Sequence, residues 1–72
     1  MKDISKQLTH YRNRAALSQI EVSEKLCISR QAISGWENGR GCPTIEHLIL
    51  LASLYNTTVD SLLGIWTPKM RQ

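Results

Sequence analysis

Residues 17–39 read LSQIEVSEKLCISRQAISGWENG, and this stretch decides the fold. Ser18 is a good helix N-cap, and Glu21 occupies the third position after it, where a capping box satisfies two otherwise unpaired amide groups. Val22 and Leu26 then fall on one face at helical spacing. The pattern predicts a short amphipathic helix that begins after Ser18 and closes with Leu26.

A second short helix is predicted directly after a tight turn. Residues 27–28 fill the turn, and Ser29 is again a capping residue. Beyond it, Ile33 and Trp36 share a face that we expect to point into the core, with Ala32 at its edge. Two helices joined by so short a turn form a helix-turn-helix.

The second helix has a polar outer face and a clear end. Asn38 and Gly39 end it, because both residues tolerate the left-handed conformation of a C-terminal cap. The residues expected on its open side are Arg30, Gln31, Ser34 and Gly35. This arrangement is suited to entering DNA.

Three more helices are predicted on either side of this unit. The first is capped by Asp3, ends near residues 15–16 and carries Ile4, Leu8 and Tyr11 at i, i+4 and i+7. The fourth is capped by Thr44 and carries Ile45, Leu48, Leu51, Ala52 and Tyr55. The fifth runs from Val59 to Leu63 and is ended by Gly64. The sequence therefore predicts an all-α fold, a compact five-helix bundle.

Many residues of the chain match one known pattern in register. They are Leu17-Ser18-Gln19, Glu24-Lys25-Leu26, Ser29-Arg30-Gln31-Ala32-Ile33-Ser34, Trp36-Glu37-Asn38-Gly39, Pro43, Leu48, Leu51-Ala52 and Asp60-Ser61-Leu62-Leu63. Over residues 4–63 the chain thus resembles the Cro/CI-type helix-turn-helix of phage repressors and the wider XRE family of bacterial regulators. The resemblance implies a lambda-repressor-like DNA-binding domain over residues 1–64, followed by a C-terminal extension over residues 65–72. It implies a transcriptional regulator, not an enzyme, that needs no cofactor.

The start of the second helix of such a motif meets base edges in the major groove of double-stranded DNA. Arg30 can donate a bidentate pair to guanine or clamp a phosphate, and Gln31 can pair with adenine. Ser34 is the third predicted base contact. By resemblance, Gln19 contacts the DNA backbone and braces Gln31. The other predicted backbone contacts are Ser18, Ser29, Asn38 and Arg40.

Gly35 departs from the family pattern, in which many relatives carry a longer polar residue facing the groove. One side-chain contact is therefore missing in this chain. A glycine there can let the backbone approach DNA closely, at a helix-propensity cost of about 1 kcal/mol relative to alanine.

The charge of the chain agrees with a nucleic-acid partner. Nine Lys and Arg residues stand against six Asp and Glu residues, which gives a net charge of +3. Residues 1–40 hold seven of the basic and four of the acidic residues, so this whole excess lies in the helix-turn-helix half. A merely solvated surface would explain that much charge as well.

Cro/CI-type domains commonly dimerise through their last helix and the segment after it. The residues predicted at such an interface are Leu50, Val59, Leu63, Ile65 and Trp66, with Ile49 as a possible neighbour. A two-fold dimer would present two recognition helices to successive major grooves and read an inverted repeat. The alternative is that Ile65 and Trp66 fold back onto their own core. Residues 67–72 are expected to be a mobile tail.

The cysteines and histidines give no support for a metal site or a catalytic site. Cys27 and Cys42 are too far apart in sequence to form the close ligand pair of a zinc module, and we expect reduced, partly buried thiols. His10 and His47 are expected to face solvent. The N-terminus has no apolar signal core, and the longest apolar run is too short to span a bilayer. These features predict a cytoplasmic protein, and the resemblance implies that it comes from a bacterium or phage.

A second class of function stays open at this point. The same scaffold can serve as an antitoxin or antirepressor, that is, as a module that binds a protein partner. Its adhesive surface would be Ile20, Leu50 and Trp66, the first two of which are predicted to be exposed in a monomer.

Overall fold

The computed structural model of the protein describes residues 4–64, and these residues form five helices in the predicted order. The helices are α1 (Ile4–Arg14), α2 (Gln19–Leu26), α3 (Arg30–Glu37), α4 (Ile45–Leu54) and α5 (Val59–Leu63). The prediction of an all-α, five-helix fold is confirmed. The predictions that concern Asp3, Ile65, Trp66 and the tail over residues 67–72 lie outside the described residues.

Four of the helices begin at a side-chain cap that the local sequence provides. The hydroxyl oxygens of Ser18, Ser29, Thr44 and Thr58 each accept the backbone N–H of the third residue that follows. At Ser18 the capping box is complete, because the Glu21 carboxylate accepts the Ser18 backbone N–H at 2.8 Å. The hydrogen bond from the Ser18 backbone to the Glu21 carboxylate, assisted by the Ser18 side chain, lowers the pKa of Glu21 below its ordinary value.

All five helices are followed closely by a residue in the left-handed conformation. These residues are Ala16, Cys27, Gly39, Asn56 and Gly64, with φ between 55° and 78°. After α1, the Leu17 N–H donates to the Arg12 carbonyl at 3.2 Å, and comparable bonds close the ends of α2, α3 and α4. Each left-handed residue therefore reverses the chain while satisfying carbonyl groups that the helix leaves open.

The core lies where α1 packs on α3 and α5, with α2 against α3 and α4 against α5. Its buried side chains are Leu8, Val22, Ile33, Trp36, Leu48, Leu51, Ala52, Tyr55 and Leu62. The inward face predicted for α3 is confirmed, since Ile33 and Trp36 are both buried. The side chains of Ile4, Tyr11, Leu17 and Leu26 pack against this core while keeping part of their surface exposed.

Two residues of α4 differ from the sequence-based expectation. The sequence groups Ile45 with the other apolar residues that α4 carries, but 61% of its surface is exposed. His47 was expected to face solvent, and that prediction is wrong. Its ring is half-buried, with its centroid 5.3 Å from that of the Trp36 indole. The physical reason is that the flat indole needs cover at the edge of the core, which the imidazole ring provides. His10 on α1 is exposed, as predicted.

The two cysteines are exposed, so the prediction of partly buried thiols is also wrong. Cys27 occupies the left-handed turn after α2, and Cys42 lies in the loop between α3 and α4, so neither side chain reaches the core. Within residues 4–64, no three His, Cys, Asp or Glu side chains are grouped so as to hold a metal ion. No helix in the same range is long and apolar enough to cross a lipid bilayer.

The left-handed turn at Cys27 generates a prediction about stability. A residue other than glycine at φ 55° is strained. Cys27→Gly is therefore expected to stabilise the fold by about 0.5 kcal/mol, after allowance for the greater chain entropy of glycine in the unfolded state. Lys25→Gly, two residues earlier in a regular helical turn, is expected to destabilise it by about 1 kcal/mol. Urea unfolding under reducing conditions measures both, and a loss of stability in Cys27→Gly would contradict the strain.

Candidate nucleic-acid interface

The two faces of α3 differ in what they contact. At 100° per residue, Ile33 and Trp36 lie on one side of the helix, and both are buried. On the other side Arg30 and Gln31 are exposed, and Ser34 is half-buried. The open side predicted from the sequence is therefore present in the fold, and it begins at the first residue of the helix.

Arg30 and Gln31 make no side-chain hydrogen bond or ion pair within residues 4–64. The guanidinium of Arg30 has five N–H donors, and the carboxamide of Gln31 has two donors and one acceptor oxygen. All of these groups are available at the surface. Because the opposite face of α3 is locked in the core, the helix presents them from a fixed position.

Ser34 and Asn38 lie on the same face and contact each other. The Asn38 Nδ2 donates to the Ser34 Oγ at 3.2 Å, which leaves the hydroxyl hydrogen of Ser34 free to donate outward. Asn38 keeps an ordinary backbone conformation at φ −100°, so only Gly39 takes the left-handed one that the sequence allowed for both. The Arg40 N–H donates to the Gly35 carbonyl at 2.8 Å, which fixes Arg40 at the exposed end of the helix.

The N-termini of α2 and α3 differ in whether an acidic side chain already interacts with the positive end of the helix. At α2 the Glu21 carboxylate already interacts with the positive end of the helix through the capping box. At α3 the Ser29 hydroxyl accepts the Ala32 N–H at 3.1 Å, and the first turn contains no acidic residue. The N-terminus of α3 is therefore the more favourable of the two for an anion.

The buried carboxylate of Glu37 connects α1, α2 and α3 through hydrogen bonds that are not predicted from the sequence. The Arg12 guanidinium donates to Glu37 in bidentate fashion, from Nε to Oε2 at 2.7 Å and from Nη2 to Oε1 at 3.0 Å. The Gln19 Nε2 also donates to Glu37 Oε1, at 3.0 Å. The remaining guanidinium nitrogen of Arg12 donates to the Leu17 carbonyl at 2.7 Å. We call Arg12, Gln19 and Glu37 the carboxylate clamp.

The position of Gln19 differs from the bracing role that the resemblance implied. Its amide nitrogen is bound to Glu37 at the far end of α3, where Gln31 had been expected as the partner. The reason is that the Glu37 carboxylate is charged, and a charged acceptor makes a stronger hydrogen bond than the neutral amide of Gln31. The predicted contact of Gln19 with a DNA backbone is a separate matter and stays a prediction.

The carboxylate clamp is largely removed from water. The side chains of Arg12 and Glu37 are 14% and 6% exposed, respectively. The hydrogen bonds to Glu37 raise the pKa of Arg12 above its ordinary value. Burial raises the pKa of the nearby Tyr55 to about 12, and the negative charge of Glu37 contributes to this shift. Both shifts keep the charge states of these two groups constant over the physiological range, with Arg12 protonated and Tyr55 neutral.

Two features of the sequence are consistent with the carboxylate clamp but do not predict it. Arg12 lies off the apolar stripe of α1, and Glu37 belongs to the Trp36-Glu37-Asn38-Gly39 match. Nothing in their spacing, however, shows that residues 25 positions apart meet. That contact depends on how α1 crosses α3.

Removal of the charge from Glu37 tests the clamp. Glu37→Gln leaves the Arg12 guanidinium without its counterion in a mostly buried site, so we expect a loss of about 2 to 3 kcal/mol of stability. Glu46→Gln makes the same change of charge at an exposed position of α4 and is expected to cost under about 0.5 kcal/mol. The double variant Arg12→Met/Glu37→Gln should lose less than the sum of its two single variants. Additive losses in urea unfolding would show that the two side chains are not coupled.

Comparisons with known proteins identify the family of this chain. The family model described as Helix-turn-helix matches residues 8–62. The HTH-type transcriptional activator BcrR of Enterococcus faecalis is 36% identical over 62 residues, which are 86% of this chain and 30% of that protein. The cryptic phage CTXphi transcriptional repressor RstR of Vibrio cholerae is 28% identical over 69 residues, 96% of this chain and 62% of that protein.

A third relative is the HTH-type transcriptional regulator ImmR of Bacillus subtilis, which is 36% identical over 61 residues, 85% of this chain and 48% of that protein. The chain thus spans from 30% to 62% of the length of these three relatives. The match of the family model covers more than half of the chain and includes all of α2, α3 and α4. The chain belongs to the Cro/CI-type helix-turn-helix family, the XRE family of DNA-binding transcriptional regulators.

Proposed function

We propose that this chain is a sequence-specific regulator of transcription that reads the major groove of double-stranded DNA with α3. The observation that carries the proposal is the state of Arg30 and Gln31. Both side chains are exposed and without a partner within residues 4–64, at the first two positions of a helix whose other face is buried. The names of the relatives, which include a transcriptional activator and a transcriptional repressor, support the same class of function.

The proposed contacts follow from the donors and acceptors that the surface leaves free. Arg30 pairs with guanine O6 and N7, and Gln31 pairs with adenine N6 and N7. The free hydroxyl hydrogen of Ser34 is a third donor to a base edge. The proposed contacts with the DNA backbone are made by Ser18, Gln19, Ser29, Asn38 and Arg40.

We further propose that the chain acts as a homodimeric repressor. A surface of α4 supports the dimer, because Leu50 is 45% exposed and Ile49 and Ile45 are exposed still more. Val59 and Leu63 of α5 are partly buried against the core and keep some surface for a second copy. Such a dimer would hold two α3 helices about 34 Å apart, the spacing of successive major grooves on one side of the duplex. When bound to its operator, the dimer would exclude other proteins from the same DNA.

Selection from a pool of random duplexes tests base reading directly. Purified protein at near-physiological salt is expected to retain an inverted repeat with half-sites about one helical turn apart. Arg30→Ala and Gln31→Ala are each expected to lower affinity for that operator by about 1 to 3 kcal/mol and to relax the preference at one base pair. Lys25→Ala removes the same charge as Arg30→Ala from an exposed position of α2, and we expect it to leave base preference unchanged.

Two outcomes would contradict this proposal. One is that folded protein enriches no sequence, and the other is that Arg30→Ala and Gln31→Ala keep the wild-type preference. Either result would favour the interaction-module alternative, in which exposed apolar side chains such as Ile20 and Leu50 bind a protein partner.

The proposed dimer has its own test. Leu50→Lys places a charge in the proposed interface without disturbing the core, because the side chain is already 45% exposed. We expect the variant to sediment as a monomer at concentrations where the wild-type chain is a dimer, and to lose affinity for the full operator but not for a half-site. Ile20→Lys makes the same chemical change on α2, where 55% of the side chain is exposed, and should leave the oligomeric state unchanged. A Leu50→Lys variant that sediments like the wild type would exclude Leu50 from the interface.

A further inference from the structure

Gly35 has no reason within the fold to be a glycine. It lies in the interior of α3, and its backbone does not take the left-handed conformation seen at Gly39 and Gly64. Apart from its chain neighbours and the backbone of α3 itself, a Cβ atom built at Gly35 would meet no atom of the protein within 4 Å. Glycine weakens a helix relative to alanine. The protein alone would therefore be more stable with a side chain at this position.

The place of Gly35 on α3 indicates what the missing side chain would have covered. Gly35 is four residues after Gln31, so it lies one turn further along the same exposed side of the helix. Side chains on a helix lean toward its N-terminus, so a side chain at position 35 would extend over the turn that carries Gln31. Its absence leaves an open space on this side of α3, with the bare backbone of Gly35 at its base.

We propose that Gly35 is a specificity-determining position, at which the backbone of α3 packs against the C5-methyl group of a thymine on the floor of the major groove. This inference rests on the proposed function. The thymine that is base-paired with an adenine read by Gln31 lies in the same groove, and a thymine methyl is recognised there by apolar contact. The Cα of Gly35 supplies an apolar surface, and the open space above it is free to take the methyl group.

The proposal predicts that one substitution moves stability and DNA binding in opposite directions. Gly35→Ala is expected to raise the thermal midpoint by roughly 4 to 8 °C, because alanine favours the helix and its Cβ meets nothing within the protein. The same methyl group is expected to lower affinity for the selected operator about tenfold, since it occupies the space of the thymine methyl. Asn13→Ala also improves helix propensity, at an exposed position of α1, and should leave the affinity unchanged.

Operators with single thymines replaced by deoxyuridine identify the contact itself. For the wild-type chain, affinity should fall several-fold at one thymine in each half-site, because the methyl group is lost there. Gly35→Ala should show no fall at that thymine, so that the two changes are coupled in a double-mutant cycle.

The results distinguish this inference from the proposed function. If the wild-type chain selects an operator and Gly35→Ala binds it equally well, the proposed function stands and the role of Gly35 is overturned. A loss in Gly35→Ala that is equal on the operator and on an unrelated duplex also overturns it, because that loss reports packing on the sugar-phosphate backbone. If the wild-type chain selects no operator, both proposals fail.

Discussion

Hydrogen bonding to the buried carboxylate of Glu37 is the interaction on which the geometry of the proposed DNA-binding surface depends. This carboxylate accepts three hydrogen bonds, two from Arg12 of α1 and one from Gln19 at the start of α2, while it belongs to the last turn of α3. An α-helix of eight residues is not stable alone, so α3 takes its orientation from its contacts. Apolar packing of Ile33 and Trp36 holds α3 against the core. The bidentate geometry of the clamp also restricts the orientation of the helix.

This arrangement divides the polar groups of the helix-turn-helix into two sets. Arg12 and Glu37 bind each other with little exposure to water, and their charges serve the fold. Arg30 and Gln31 make no side-chain bond within residues 4–64, and their donors face outward. A surface that recognises a partner needs both sets, because free donors read bases only when something else keeps them in place. Arg30 is the first residue of α3 and Glu37 is the last. The carboxylate clamp therefore holds one end of the helix, and the side chains at the other end are available to a partner.

The helix ends are formed by hydrogen bonds and backbone conformations of residues close in sequence. Hydroxyl caps at Ser18, Ser29, Thr44 and Thr58 begin four helices, and a left-handed residue follows each of the five. Three of those left-handed residues are not glycine, whereas a glycine occupies regular helix at position 35. Three helix ends are therefore closed by strained residues that are not glycine. The glycine lies instead at position 35, where it weakens a regular helix. The glycine at position 35 has no benefit inside the protein, which is why we attribute it to contact with a partner.

The sequence by itself determined the five helices, the caps at Ser18, Ser29 and Thr44, and the two faces of α3. Each of these depends on residues within about four positions of one another, whose hydrogen bonds and spacing can be read along the chain. Only the tertiary structure decided that Arg12 meets Glu37, that Gln19 binds this carboxylate, that His47 covers Trp36 and that Ile45 is exposed. These contacts join residues from different helices, or depend on which part of a helix its neighbours cover. The crossing of the helices is set by packing of the whole core, and no local pattern records it.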